Sequence, residues 1–234
     1  MDEVAKRKIF CEDAIAWLQQ WRQTPNTSFV CSLPDFSEFN SRNMEEWKFF
    51  FIESAKLVLE AASDDCVSIF YQSDIKNQGT WVDKGFLCQK AAESLGHQLL
   101  WHKIVCRHEA GRVTYGRPSY SHILCFSKKM KVQNLARSTC DVIPHIGKQT
   151  WARGMGIEAA LMIAKFVKEE TPTRTLVNPF SGEGAMLAAA NFYRLDAVGI
   201  ERSPKRCKKS QRLSVSTDQN SWIEVGEESD KCKN

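Results

Sequence analysis

The sequence predicts an α/β fold: a mostly parallel, seven-stranded sheet with an antiparallel hairpin at one edge. Two features point there. β-branched and aromatic runs alternate with amphipathic helical stretches across short loops, the pattern of a parallel sheet covered by helices on both faces. Two apolar runs between residues 97 and 127 follow one another with no helix between them, a connection that only antiparallel neighbours can make.

Each element has its own signal. "KIFC" (8–11) reads as a short strand, and "EDAIAWLQQWR" (12–22) as a helix with Ile15, Leu18 and Arg22 at turn spacing. "SFVCS" (28–32) is a second strand, ended by the polar, proline-containing loop "LPDFSEFNSRN". "MEEWKFFFIESAKLVLEAA" (44–62) is strongly amphipathic, "CVSIFYQS" (66–73) is a strand, and "WVDKGFLCQKAAESLG" (81–96) is a helix closed by Gly96. The edge hairpin is "HQLLWHKIVC" (97–106) and "YSHILCFSKK" (120–129). After a linker comes the helix 152–170, the strand "RTLVN" (174–178), a glycine turn into a helix, the strand "DAVGIE" (196–201) and the basic helix 203–213. These elements are expected to form one domain, 1–213, with a substrate half (1–127) and a cofactor half (141–213). Residues 214–234 read as a flexible polar tail.

Composition sets limits on function. With 43% hydrophobic residues the chain can bury a normal core, and a net charge of +4 permits a polyanionic partner without demanding one. Nine cysteines form no CxxC pair, are odd in number and sit mostly inside apolar runs. Reduced thiols of a cytoplasmic or nuclear protein are expected, and no metal site. The charged start "MDEVAKRKIF" lacks the apolar core of a signal peptide, and no stretch approaches the ~20 apolar residues of a membrane span.

The chemistry begins at "LVNPFSGEGAMLAAA" (176–190). An apolar strand enters a proline and two glycines, Gly182 and Gly184, and leaves as a helix whose first amides point at a ligand. Seventeen residues beyond Gly184, Glu201 ends the next strand, where a carboxylate accepts hydrogen bonds from ribose hydroxyls. Leu187 stands where a dinucleotide fingerprint needs its third glycine, and no GK[ST] follows. NAD and nucleoside triphosphates are therefore disfavoured. The adenosine of S-adenosylmethionine, which has no pyrophosphate, fits.

These residues resemble a family. "NPFSGEGA…VGIE" is similar to the "DPFxGSGT…GIE" segment of the S-adenosylmethionine-dependent amino-methyltransferases of DNA and related RNA enzymes. "IFCEDAIAWL" is similar to their "GDxLxxL" stretch, and "LLWHKIVCR…GRPSYSHILCFSK" to their edge strands. The resemblance spans most of the chain and implies a Rossmann-like methyltransferase fold. It implies that Asp13 contacts the adenine amino group, that Asn178 and Phe180 lie beside the cofactor, and that Thr150 and Arg153 meet its amino-acid end, with Arg153 pairing the carboxylate. The order of motifs matches the β-class of these enzymes, in which the catalytic half comes first. The residues agree with such a circular permutation. No third strand follows the helix 203–213, so "KIFC" is expected to lie beside 196–200, with the termini close together.

In that family the strand after "GDxLxxL" ends in [DNS]PP[YFW], which holds the target amine. Here the strand runs into "SLPDFSEF". The resemblance places Ser32 at the first position, Pro34 at the second proline and Asp35 at the aromatic. Phe36, one residue late, is expected to stack on the substrate, and Asp35 to take the released proton. Gln72 and Asp74 follow a strand's C-terminal end, the side on which open parallel sheets bind ligands. Arg107, Arg112, Tyr115, Arg117 and Tyr120 interleave basic and aromatic groups in one loop, a mixture suited to phosphate contact and stacking. Together with the five basic residues of "RSPKRCKKS" these favour nucleic acid, RNA ahead of DNA. A protein or small-molecule substrate, or a non-catalytic subunit supporting a protein partner, remains the alternative.

Overall fold

The computed structural model describes residues 4–39, 43–132 and 140–225. In chain order the elements are β1 (Arg7–Phe10), α1 (Ala14–Gln20), β2 (Thr27–Cys31), α2 (Met44–Ala61), β3 (Ser68–Gln72), β4 (Ile75–Asn77), β5 (Thr80–Val82), α3 (Lys84–Ser94), β6 (Gln98–Cys106) and β7 (Tyr120–Ser127). Then follow β8 (Val142–Ile143), α4 (Ile157–Glu170), β9 (Thr175–Asn178), α5 (Ala185–Phe192), β10 (Asp196–Ile200), α6 (Pro204–Arg212), β11 (Leu213–Val215) and β12 (Trp222–Glu224).

One sheet organises them, in the order β1-β10-β9-β2-β3-β7-β6-β8. β1, β10, β9, β2 and β3 run parallel, and β7 is antiparallel to both of its neighbours. The expected parallel sheet with an antiparallel edge hairpin is present, but it has eight strands rather than seven. The extra strand, β8, comes from the linker and pairs parallel to β6, with Asp141 O accepting from Ile104 N at 2.9 Å. Two residues followed by Pro144 are too short to display the period-two alternation that betrays a strand.

Alternation across β2 and β3 divides the core. Phe29, Cys31 and Phe70 face α1, α2 and α3, whereas Val30, Ile69 and Tyr71 face the α4–α5 side. Both faces are covered, which is why these strands read as unbroken apolar runs. Helix α4 packs against the hairpin through an edge-on Trp101–Phe166 contact, 5.0 Å between ring centroids.

β1 lies beside β10, with Ile9 opposite Gly199. This is the placement expected for the N-terminal strand, which forms the outer edge of the sheet. The helix expected from residue 81 begins at Lys84, capped by the Asp83 carboxylate. Ahead of it β4 and β5 form a hairpin whose turn residues, Gln78 and Gly79, both have positive φ (47° and 76°), the geometry of a tight hairpin turn. The polar tail is also corrected. Residues 213–224 form the β11–β12 hairpin, and Trp222 Nε1 donates to Lys148 O at 2.8 Å. The rest of the tail, from 226, lies outside the described residues. All eight cysteines among the described residues are free, and no helix there is long and apolar enough to cross a membrane.

Candidate active site

The C-terminal ends of β10, β9, β2 and β3 open into a cleft of about 630 Å³, a volume suited to a cofactor and a small acceptor group. One end is built by the glycine turn. Asn178 Oδ1 accepts from Phe180 N (3.1 Å), and Ser181 N and Oγ both donate to Ile200 O (3.0 and 3.2 Å), which locks the turn to β10. Gly182 (φ +55°) lines the cleft, and an added Cβ would come no closer than 4.0 Å to Trp151 Nε1. Gly184 (φ +88°) does not line it, contrary to expectation. Its missing Cβ admits α6 instead, since a methyl there would lie 2.9 Å from Ser210 Cα. Leu187, in the place of the third glycine, projects to where a Cβ on Gly199 would stand, 2.4 Å from its Cδ1. The close approach of helix to strand is thus achieved by a glycine on the strand.

Glu201 carries the expected acid into the cleft. Its Oε1 accepts from Ser203 N at 2.8 Å, which orients the carboxylate and leaves Oε2 for a ligand. Asp13 lines the cleft while its Oδ1 accepts from Ile15 N and Ala16 N, both at 3.0 Å, capping α1. Thr150 and Arg153 also reach the cleft. Arg153 is turned toward the substrate loop, however, 3.3 Å from Ser37 Oγ and 3.7 Å from Glu38 Oε1. The residue above Gly182 is Trp151, with the Arg206 guanidinium 4.7 Å from its ring centroid. These features fit an adenosine-bearing cofactor: a glycine without a Cβ at the point of approach, an oriented carboxylate with one open oxygen, and an aromatic beside them.

At the other end stands "SLPDFSEF". Ser32 Oγ donates to Tyr71 O at 2.7 Å. Pro34 lines the cleft and its carbonyl accepts from Trp47 Nε1 at 3.3 Å. Asp35 is present but has a different role from the one expected. Its Oδ1 caps a 3-10 turn, Phe36–Glu38, through Ser37 N (3.1 Å), and its Oδ2 accepts from Lys84 Nζ at 2.8 Å, with Arg117 3.4 Å from Oδ1. Burial pushes its pKa up, but Lys84, the Ser37 amide and Arg117 outweigh that and hold it at about 2. A carboxylate so stabilised and so fully engaged is not a proton acceptor at neutral pH. Phe36 is likewise corrected. It packs edge-on against Trp47, 6.0 Å between centroids, and Phe39 with Phe50 (5.1 Å apart) supplies the aromatic lining of the cleft.

Gln72 and Arg117 line the cleft as expected; Asp74, Arg112 and Tyr115 do not. Asp74 is buried and holds the scaffold, accepting from Lys84 N (2.9 Å), Trp81 Nε1 (3.0 Å) and His122 Nε2 (3.0 Å). His122 Nδ1 in turn meets His102 Nε2 at 2.8 Å. Asp74, Asp83 and His122 bring potential metal-ligand atoms within 4.8 Å of one another, but these hydrogen bonds and the Asp83 cap of α3 already engage all three side chains. Arg112 and Tyr115 sit on the outer surface of their loop, Tyr115 at 92% exposure. Arg107, from the basic and aromatic loop, and Lys84 also line the cleft, and Lys84 carries no sequence signal. A lysine at a helix start reads as an ordinary surface residue, and only the packing of α3 buries Lys84 to 2% exposure.

No family model and no curated protein matches the chain. Solved structures do. A Thermus thermophilus protein described as a candidate DNA modification methylase, complexed with S-adenosyl-L-methionine, is 16% identical, with a TM-score of 0.68 over 87% of this chain and 91% of its own. The PvuII DNA methyltransferase (cytosine-N4-specific) is 11% identical, with a TM-score of 0.71 over 89% and 86%. The M1.HpyAVI–SAM complex is 13% identical, with a TM-score of 0.61 over 88% and 97%. The chain has the fold of these Rossmann-like methyltransferases.

Proposed function

We propose that this chain is an S-adenosylmethionine-dependent methyltransferase acting on an exocyclic amine of a nucleic-acid base. The observation that carries the reading is that one cleft is lined by the glycine turn and the oriented Glu201 carboxylate at one end and by Ser32 at the other. When bound, S-adenosylmethionine supplies an electrophilic methyl group. Glu201, through its open Oε2, would hold the ribose, and Asp13 would meet the adenine.

Ser32 performs the complementary task. Its proton is committed to the Tyr71 carbonyl, so toward the cleft Oγ presents only lone pairs and accepts an N–H. That holds an amine with its own lone pair turned to the cofactor end, and positioning of this kind supplies much of the acceleration that methyl transfer needs. Asp35 takes no proton. The amine that accepts the methyl group becomes a cationic, strongly acidic ammonium, which would release its extra proton to water and leave the neutral methylamine.

The strand order, with β1 beside β10 and the Ser32 loop ahead of the glycine turn, supports a circularly permuted arrangement. In it a substrate half (1–127) precedes a cofactor half (141–213), and "SLPD" is a divergent form of the amine-holding motif. The structural neighbours act on DNA by name, so DNA is the favoured substrate, reversing the sequence-based order. Incubation with methyl-labelled cofactor and with DNA, RNA or protein extract is expected to label DNA most strongly. Label in protein alone would overturn the reading. Cofactor binding with no transfer to any extract would point to a non-catalytic subunit.

A further inference from the structure

Two thiols flank the strand end that carries Glu201. β1 runs beside β10 with Phe10 opposite Ile200, and Glu201 N donates to Phe10 O at 3.0 Å. Cys11, the next residue along that edge, therefore lies about one strand spacing, ~4.8 Å, from Glu201, and its Sγ is 3.9 Å from Arg202 O. Cys207 comes from the first turn of α6, and its Sγ donates to Glu201 O at 3.0 Å. The two sulfurs thus approach consecutive carbonyls from β1 and α6, elements that pack on each other. The Cys207 thiol also interacts directly with the Cys11 side chain. The pair differs in access, since Cys11 is exposed and Cys207 buried. Cys31 and Cys88 also influence one another, but both are fully buried and closed to solvent.

We infer that Cys11 and Cys207 form an oxidisable pair, joined by hydrogen peroxide into a disulfide that alters the cofactor end of the cleft. Burial, with Cys11 and Glu201 beside it, pushes the Cys207 thiol up to about 12, so Cys207 keeps its proton and the exposed Cys11 meets the oxidant first. Peroxide converts the Cys11 thiol to a sulfenic acid as its O–O bond breaks, releasing one water. The Cys207 sulfur then displaces the sulfenic oxygen, which leaves with the Cys207 proton as a second water while the S–S bond forms. Two thiols are oxidised by two electrons, and one peroxide is reduced to two waters. The bridge removes the S–H that Glu201 O accepts and draws β1 and α6 together across the Glu201 strand end. Its immediate neighbours Glu12, Asp13, Arg202 and Arg206 line the cleft, so the change reaches the cofactor. The disulfide does not depend on what the cleft binds; its effect on S-adenosylmethionine rests on the proposed function.

Peptide mapping of the full chain tests the pair, after hydrogen peroxide and then alkylation of the remaining thiols. A Cys11–Cys207 cross-link that dithiothreitol reverses is expected. Recovery of both cysteines as separate alkylated residues, or a bridge from Cys11 to another cysteine, would overturn the inference. In a calorimetric titration the oxidised protein should bind S-adenosylmethionine about fivefold more weakly than the reduced protein, the scale of one lost hydrogen bond. Cys11→Ser, a change at an exposed position, should leave the reduced affinity unchanged and abolish both the cross-link and the response to peroxide. An equal loss of affinity in Cys11→Ser after peroxide, or undiminished affinity in the cross-linked wild type, would sink the link to the cofactor. Reduced protein that bound no S-adenosylmethionine would instead overturn the proposed function, while peptide mapping would still decide the disulfide.

Discussion

The two ends of the cleft are held by different means. The cofactor end is local: Asn178 to Glu201 is one strand, one turn, one helix and the next strand, fastened by backbone bonds such as Ser181 to Ile200. The substrate end is assembled at long range, with Asp35 tied to Lys84, 49 residues away, and to Arg117 from a third segment. Backbone conformation governs the first and side-chain charge the second. Substitutions should therefore fail differently in the two regions.

The sharpest contrast lies within the glycine turn. Gly184→Ala combines a left-handed backbone with a contact 2.9 Å from Ser210 Cα, and thermal or urea unfolding should show a loss of about 4 kcal/mol. Gly182→Ala has the same backbone penalty but open space, and should cost about 1 kcal/mol. Equal losses would show that α6 does not constrain the turn.

Lys84→Met tests the other end. It leaves Asp35 with Arg117 as its remaining cation, and removing one member of a buried pair costs about 3 kcal/mol. For a chain of this size that lowers Tm by roughly 6–12 °C. Cofactor affinity should hold, because Lys84 belongs to the substrate end; a parallel loss would erase the distinction between the two regions. Glu201→Ala should do the reverse, weakening S-adenosylmethionine binding roughly 30-fold in a calorimetric titration with little change in Tm.

The last effect is one of pH. The folded-state pKa of Asp35, about 2, lies below the ~3.9 of an unfolded aspartate. Its contribution to stability is thus complete above that unfolded value and disappears as pH falls through about 2. Urea midpoints of the wild type and Asp35→Asn should converge across that window. Parallel curves would mean that the ion pair adds nothing.

Legibility in the sequence follows the same division. The turn, the position of Glu201 at a strand end and the place of β1 are readable because glycine conformation and strand–turn–helix order are encoded within a few neighbouring residues. Gly184 is recognisable as necessary, but for the wrong reason, since the helix it admits lies beyond the next strand, at Ser210. Phe36 and Asp35 take their expected roles from alignment to a motif. In the fold Trp47 draws Phe36 into the core, and Lys84 draws Asp35 into an ion pair. Periodicity carries no trace of either contact.

What the sequence determined by itself is therefore the layered α/β fold and a glycine turn from strand to helix, because hydrophobic period and glycine conformation are local properties. Tertiary structure alone decided which carboxylate stays open (Glu201) and which is neutralised (Asp35), that Phe39 and Phe50 rather than Phe36 line the cleft, and that Gln72 is buried at its wall with Nε2 lacking an acceptor. Those outcomes depend on which charges and donors meet across the sheet once it is folded, and burial makes each such meeting, or its absence, matter.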